Sequence, residues 1–294
     1  MMTEEELNNF EDLEINRPEY TAPQFDSNKI YTTFIWSDGD NIMWDKQLYP
    51  RIFSADNSNA HAFGAGFGIN PMLCELAPVM VKWLIENAPE NLEPMFSGGI
   101  GITETETYGM KYGEQKADEL LREYFQLCKH YADHAGITVI NPQHYTKYRG
   151  CNFAAEVFTN AYLITPGNSG TYLAKGGERG RTWVTNGIPC IGTKEAYYIT
   201  KDEDQLQYVL DFARDGIAEI YSYIERPQFW TINVLGNYTF PDGKSDLYYQ
   251  YIGTYRLLDP TWYNGKQLPN FTLGTIVPVP PSTLGQFYKE SLNQ

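Results

Sequence analysis

The sequence predicts a single α/β domain, a (β/α) barrel of TIM type with about seven or eight strands. Short segments rich in β-branched and aromatic residues alternate with longer segments whose apolar residues recur at helical spacing. This alternation is typical of a parallel sheet whose two faces are both covered. The chain length of 294 residues suits one such barrel, and a doubly wound open sheet is the alternative that the pattern leaves open.

The predicted strands are short and apolar. The first covers 30–36, where the sequence IYTTFIW combines β-branched and aromatic side chains. The later candidates, taken in order, cover 62–68, 95–96, 137–140, 161–164, 188–191, 229–235 and 273–277. A helix or a long loop follows each of them, as the crossover between parallel strands requires.

The predicted helices are recognised by their apolar stripes and by their ends. A helix that begins after residue 70 restarts at Pro78, since proline suits the first turn of a helix. Gly136 ends a long helix at about 112–135, because glycine readily adopts the left-handed conformation of a helix C-terminus. The remaining helices are predicted at 152–160, 203–225, 246–257 and 282–292. The apolar stripe of the helix at Pro78 consists of Val79, Met80, Trp83 and Leu84.

Charge and apolar patterning exclude two classes of partner. Lys and Arg total 22 and Asp and Glu total 37, and the formal net charge of −15 repels the phosphates of nucleic acids. No apolar run is long enough to span a membrane. The sequence therefore predicts a soluble, acidic protein that does not bind nucleic acid and has no membrane span.

Residues 1–28 are acidic and have little apolar periodicity, which predicts an extended or partly disordered arm ahead of a barrel domain at 29–294. The first residues, MMTEEE, lack the positive charge and apolar stretch of a signal peptide. The chain as written is therefore expected in the cytoplasm. If it is a fragment of a longer precursor, we expect an extracellular or periplasmic location instead.

The cysteines and histidines lack the spacing of a metal centre. The four cysteines include no CxxC pair, and Cys74 and Cys128 lie in apolar helical segments typical of buried thiols. His130 and His134 are one turn apart, but their position at the end of a helix favours interaction with the helix dipole. We therefore expect no metal ligands among these residues.

The residues just after each strand are the candidates for chemistry, because ligands of such sheets bind at the carboxyl ends of the strands. The loop after the first strand reads SDGDN and contains Asp38 and Asp40. Like charges on one loop repel, so one of the two carboxyls can have a raised pKa and act as a general acid. Two alternatives stay open: the pair holds a divalent cation, or these residues simply form a turn.

Glu104 and Glu106 are the candidate partner carboxylates, since they lie in the loop after the third strand. Glycoside hydrolysis needs two carboxyl groups about 5–9 Å apart, and two such loops can supply them. The alternative for the two glutamates is a solvated loop. Substrate-binding candidates come from the strand ends and the loops that follow them: Ser37, Asn41, Trp36, Trp44, Gly99, Gly101 and Asn237.

The sequence YTTFIWSDGDNIMW at 31–44 resembles the opening of the C-terminal domain of the GxGYxYP putative glycoside hydrolase family. The resemblance extends loosely over about 29–292 and implies a carbohydrate-active domain. The naming motif is altered here. Gly99 and Gly101 keep its glycines, whereas Ile102, Glu104 and Thr105 stand in place of its two tyrosines and its proline.

Three functions are consistent with these residues. The leading one is a glycoside hydrolase-like enzyme that acts on a carbohydrate by carboxylate acid/base chemistry and needs no cofactor. The second is a non-catalytic carbohydrate-binding domain. The third is a metal-dependent, deacetylase-like hydrolase, with a divalent cation at Asp38 and Asp40 and with His61 nearby.

Overall fold

A computed structural model describes residues 9–36, 49–53, 64–97, 109–142, 149–165, 182–198, 226–235 and 276–293. The strands in these ranges are β1 (Ile30–Trp36), β2 (Ala65–Ile69), β3 (Leu92–Ser97), β4 (Val139–Asn141), β5 (Leu163–Ile164), β6 (Thr182–Thr185), β7 (Ile188–Ile191), β8 (Thr193–Tyr198), β9 (Gln228–Leu235) and β10 (Ile276–Pro278). The α-helices in the same ranges are α1 (Tyr49–Phe53), α2 (Leu73–Leu76), α3 (Pro78–Asn87), α4 (Glu114–Ala135), α5 (Arg149–Val157) and α6 (Pro281–Ser291).

Parallel strands follow one another around a sheet that is nearly closed. Their order is β7, β5, β4, β3, β2, β1, β9 and β8, and every neighbouring pair along this path is parallel. The two ends of the path, β7 and β8, are consecutive in the chain and are separated only by Gly192. The path therefore returns to its start, which confirms the prediction of a single barrel-like α/β domain rather than an open sheet.

The barrel departs from a purely parallel one at β6. This strand pairs antiparallel with β7 through a two-residue turn, Asn186 and Gly187, whose φ angles are 50° and 78°. Positive φ at both positions matches the twist of a tight hairpin, and Asn-Gly is the sequence that best tolerates it. Neither β6 nor β8 was predicted as a strand from the sequence.

The two faces of β1 pack into different layers. Ile30, Phe34 and Trp36 belong to an outer core that the sheet shares with the helices α1, α3, α4 and α5. Tyr31 and Ile35, which alternate with them, belong to an inner core. The inner core also receives one residue from each of five other strands: Met95, Val139, Leu163, Ile191 and Phe229. Alternation along each strand thus separates the barrel interior from the helical layer.

Helix α6 packs into the inner core at the N-terminal ends of the strands. Leu284, Phe287 and Tyr288 of this helix contact the interior residues, and the rings of Phe287 and Tyr31 lie 4.8 Å apart. Tyr31 is the second residue of β1, so the contact marks the end of the barrel where the strands begin. The C-terminal helix therefore closes this end, and the carboxyl ends of the strands lie at the other.

A buried ion pair connects three distant segments at the closed end. The Glu93 side chain is 1% exposed and accepts hydrogen bonds from Arg17 Nη1 at 3.0 Å and from the Ser282 backbone N–H at 2.6 Å. Ser282 lies in the first turn of α6, where a negative charge also interacts favourably with the helix dipole. Glu93 thereby links the N-terminal segment, β3 and α6.

The segment before β1 packs onto the domain. Phe10 and Leu13 lie in the outer core, 1% and 2% exposed. The two histidines of α4 hold this segment: His130 Nε2 lies 2.6 Å from Glu11 Oε1, and His134 Nε2 lies 2.9 Å from the Leu13 carbonyl oxygen. These contacts assign the histidines a structural role.

Most predicted elements that fall in the described residues are present. The strands at 30–36 and 188–191 have the predicted bounds, and α4 ends at Gly136, whose φ is 66°. The stripe predicted for α3 was right for Leu84, which is buried, and for Met80, which packs against the outer core, but wrong for Val79 and Trp83, which are 39% and 42% exposed. The buried residues of that helix are Pro78, Val81, Leu84 and Ile85. The helices predicted at 203–225 and 246–257 lie outside the described residues. In the part of the chain that is described, no helix has both the length and the hydropathy to cross a membrane.

Candidate active site

The carboxyl ends of the parallel strands meet at one end of the barrel, opposite α6. β1 ends at Trp36, β3 at Ser97 and β4 at Asn141, and Thr165 comes directly after β5. The loops that carry the candidate catalytic residues leave from these positions. In barrels of parallel strands, this end is the one that binds ligands.

Most of the predicted site residues lie outside the described residues: Ser37, Asp38, Asp40, Asn41, Trp44, Gly99, Gly101, Glu104, Glu106 and Asn237. The structure does place the strands from which their loops depart. β1 and β3 both pair with β2, so the two strands are about 10 Å apart, twice the spacing of neighbouring strands. The roles of these side chains stay predictions.

Trp36 is the one predicted site residue that the structure describes. Its side chain is buried in the outer core among helix-facing residues, and the Tyr49 hydroxyl of α1 donates a hydrogen bond of 3.4 Å to its carbonyl oxygen. This packing favours a role for Trp36 in anchoring α1 against the end of β1.

Three polar side chains form a row at the carboxyl end of the barrel interior. Ser97 is directly opposite Asn141 in the register of β3 and β4. Thr165 continues the row, because its backbone N–H donates to the Ile140 carbonyl oxygen at 2.9 Å, one residue past the last paired position of β5. All three side chains alternate with outer-core residues, which places them on the inner face, and all are fully buried. We call Ser97, Asn141 and Thr165 the polar row.

Further hydroxyl groups lie deeper in the same interior. Thr33 of β1 and Thr231 of β9 are paired in register and alternate with outer-core residues of their strands. Within the described part of the chain, the hydroxyls of Thr33, Thr165 and Thr231 are buried and make no hydrogen bond. Such groups are uncommon in folded proteins and call for an explanation at each position.

The thiols of Cys74 and Cys128 are unsuited to nucleophilic chemistry. Cys74 and Cys128 are buried, and burial raises the pKa of each thiol far above its ordinary value. A thiol held in its neutral form is a poor nucleophile and a poor metal ligand. Across the described ranges, no group of three or more His, Cys, Asp or Glu side chains is placed to hold a metal ion. Asp38, Asp40 and His61 lie outside those ranges.

The region of the chain that matches a known family covers most of the barrel. Residues 28–216 match the family described as "GxGYxYP putative glycoside hydrolase C-terminal domain". The chain belongs to the GxGYxYP family. The matched region runs from before β1 to beyond β8, so it contains the polar row and the candidate carboxylates at 38, 40, 104 and 106. The resemblance found at 31–44 is thereby confirmed.

Solved structures share the fold of this GxGYxYP domain. A putative hydrolase from Bacteroides thetaiotaomicron superposes with a TM-score of 0.62 at 20% identity, over 95% of this chain and 48% of that one. A putative polysaccharide deacetylase from Mycobacterium smegmatis superposes with a TM-score of 0.51 at 6% identity, over 95% of this chain and 96% of that one. The chain thus spans about half the length of the Bacteroides protein. Among curated proteins, none matches the sequence significantly.

Sequence reasoning pointed to the residues that follow each strand but did not identify the polar row of the GxGYxYP domain as one set of neighbouring, inward-facing side chains. Ser97 and Asn141 are the last residues of their strands, and Thr165 follows its strand directly. The prediction placed the chemistry in the loops and did not consider the direction of the last side chain of each strand. A polar residue that closes an apolar strand, in phase with the interior, is the signal that could have identified all three.

Proposed function

We propose that this GxGYxYP domain is a glycoside hydrolase that cleaves a carbohydrate substrate at the carboxyl end of a barrel of TIM type. The observation that carries the proposal is the family match, which covers the strands β1 and β3 together with the loops that follow them. Because these strands are parallel and separated only by β2, both loops start from the same end of the barrel.

The proposed roles divide between two loops. Asp38 or Asp40 is the general acid, and Glu104 or Glu106 is the second carboxylate. The acid protonates the glycosidic oxygen as the bond to the anomeric carbon breaks. The second carboxylate either takes a proton from the attacking water or attacks the anomeric carbon itself. No cofactor takes part.

The remaining proposed residues bind the sugar around these carboxylates. Ser37 and Asn41 offer hydrogen bonds beside the aspartates, and Asn237 offers an amide beyond the end of β9. Gly99 and Gly101 let the backbone approach the substrate closely. Trp44 supplies an aromatic face for stacking on a sugar ring.

Substitution of the aspartates tests the proposal. Asp38→Asn and Asp40→Asn keep the shape of the side chain and remove the acidic proton. We expect one of them to lower kcat for oligosaccharides, whose poor leaving groups need protonation, by about 10²-fold or more, since proton transfer acts in the transition state. Sugar binding should change much less, because this contribution is absent from the ground-state complex.

Glu104→Gln and Glu106→Gln identify the partner carboxylate in the same assay. If both aspartate variants keep the wild-type kcat, the aspartates are structural and the proposed mechanism is rejected. If no glycoside from a broad panel is cleaved but sugars still bind, the domain is a carbohydrate-binding module.

A metal-dependent deacetylase is the second candidate. The fold is shared with a Mycobacterium smegmatis protein described as a putative polysaccharide deacetylase, and paired aspartates suit a divalent cation. This function predicts release of acetate from N-acetylated oligosaccharides, dependence on an added divalent metal and loss of activity with a chelator. A glycoside hydrolase without a metal retains its activity with the chelator.

A further inference from the structure

We propose that the polar row, Ser97, Asn141 and Thr165, is the floor of the substrate pocket and hydrogen-bonds to uncharged hydroxyl or amide groups of the sugar. The inference rests on the proposed function, because it names the groups that would recognise a carbohydrate at the same end of the barrel. It assigns a binding role to residues at the ends of the strands β3, β4 and β5 rather than to the candidate carboxylates themselves.

The first step is the position of the row. Each member follows an outer-core residue of its own strand, Phe96, Ile140 or Ile164, and so points toward the barrel interior. Successive members lie on neighbouring strands, so they are spaced by about 5 Å. With α6 closing the opposite end, a row at this level faces the end from which the loops at 37–48 and 98–108 depart.

The second step is the hydroxyl of Thr165. It is buried and has no hydrogen-bond partner in the described part of the chain. Leaving a buried polar group unsatisfied destabilises the fold, and valine would fill the same volume without this cost. Because Thr32, Thr33 and Thr231 also carry unpaired buried hydroxyls, the missing partner alone does not indicate a ligand. A ligand is inferred at Thr165 because its hydroxyl also lies at the carboxyl end of the interior, beside Asn141.

The third step is the chemistry of the row. A serine hydroxyl, a carboxamide and a threonine hydroxyl together offer both donors and acceptors, and none of the three carries a charge. Phosphate and carboxylate groups are usually bound by arginine, lysine or helix N-termini instead. Adjacent uncharged donors and acceptors match the hydroxyl groups of a neutral sugar ring or the amide of an N-acetyl group.

The experiment compares two identical substitutions on opposite faces of the sheet. Thr165→Val removes the inner hydroxyl. Thr32→Val is the matched control, since the Thr32 hydroxyl is also buried and makes no hydrogen bond within the described residues, but Thr32 alternates with inner-core residues and faces the outer core. Both variants should fold with unchanged or greater stability, because each replaces an unpaired hydroxyl by a methyl group.

Only Thr165→Val should weaken recognition of the substrate. With 4-nitrophenyl glycosides of hexoses and N-acetylhexosamines, we expect kcat/KM to fall about 3- to 10-fold, the loss of one uncharged hydrogen bond. The affinity for the parent monosaccharides, measured by titration calorimetry, should fall to a similar extent. Thr32→Val should match the wild type in both assays. Ser97→Ala provides a second variant of the row, with the same expected loss.

The outcomes separate this inference from the proposed function. If the wild type hydrolyses a glycoside and Thr165→Val and Ser97→Ala both retain its full kcat/KM and affinity, the floor assignment is rejected while the hydrolase stands. If the wild type cleaves no glycoside but binds sugars, and Thr165→Val binds them more weakly than Thr32→Val, the floor assignment holds for a binding module. If the wild type neither cleaves nor binds any sugar in the panel, both proposals are rejected.

Discussion

Glu93 is the residue on which the closed end of the barrel depends most directly. Its carboxylate is almost fully buried and is satisfied by Arg17 and by the Ser282 backbone N–H. Arg17 is itself a quarter exposed, so it can be hydrated when its partner is lost, whereas the groups around position 93 cannot. The cost of replacing Glu93 therefore comes from the lost charge-assisted hydrogen bonds and from the neutral amide that takes its buried place, rather than from an unpaired Arg17.

We expect Glu93→Gln to lower the free energy of unfolding by about 2–3 kcal/mol, the loss of charge-assisted hydrogen bonds to a buried group. Urea denaturation followed by tryptophan fluorescence measures the change. Glu119→Gln is the control, because the pair of Lys116 and Glu119 is exposed on α4 and such pairs contribute less than about 1 kcal/mol. Equal losses in the two variants would contradict a stabilising role for Glu93.

The candidate site was predicted from the sequence only as far as its loops. The SDGDN sequence and the family resemblance located the carboxyl end of β1. The structure confirms β1 as the strand that precedes SDGDN. That the three members of the polar row are neighbours could not be predicted in the same way, because it depends on the registers of β3, β4 and β5. No tight turn joins these parallel strands, so their register depends on how side chains distant in the sequence pack together.

At the scale of elements, the C-terminal helix α6 is held by a close contact between backbones. A Cβ built on Gly285 would collide with the carbonyl oxygen of Tyr162, just before β5. Glycine in the middle of a helix is otherwise unfavourable relative to alanine. Its presence is therefore explained by the approach of α6 to the end of the barrel rather than by helix formation.

We expect Gly285→Ala to lower the free energy of unfolding by about 1–2 kcal/mol, because the overpacking cost exceeds the gain of up to about 1 kcal/mol in helix propensity. Gln286→Ala, at the exposed next position, should change it by less than about 0.5 kcal/mol. Urea denaturation of both variants provides the comparison. A Gly285→Ala protein more stable than the wild type would show that α6 can shift away from Tyr162.

The errors in the predicted secondary structure have physical reasons. In PVMVKWLI of α3 nearly every residue is apolar, so periodicity alone could not decide which side of the helix faces the core. β8 reads TKEAYY. Its charged residues are not typical of a buried strand, so it was not predicted, and its position depends on pairing with β9. β6 was missed although Asn186 and Gly187 after it are a strong hairpin signal.

At the scale of the whole molecule, closure of the barrel depends on one continuous stretch of extended chain. Residues 188–198 pair with β5 through their first part and with β9 through their second part. The register of β8 against β9 shifts between Thr193 and Glu195. Such a shift is expected where an extended segment bends to pair first with one strand and then with another. No local pattern in the sequence could reveal that the two ends of the sheet are one segment.

We expect the N-terminal segment before β1 to contribute to the stability of the domain. The sequence predicted an extended or partly disordered arm at 1–28 ahead of the domain, and we propose instead that residues 9–28 are an integral part of the folded unit. Phe10 and Leu13 lie in the outer core, Arg17 binds Glu93, and both histidines of α4 contact this segment. Truncation of one buried phenylalanine alone typically costs about 3–5 kcal/mol.

A chain that begins at Lys29 is therefore expected to lose about 5 kcal/mol or more of the free energy of unfolding, a large part of the stability of an ordinary domain. A chain that begins at Asn9 keeps every contact described above and is the matched control. Urea denaturation of both proteins, with Phe10→Ala in the full chain as an intermediate case, gives the order of stability. If the protein beginning at Lys29 unfolds at the same urea concentration as the one beginning at Asn9, the segment is dispensable for stability and the proposal is rejected.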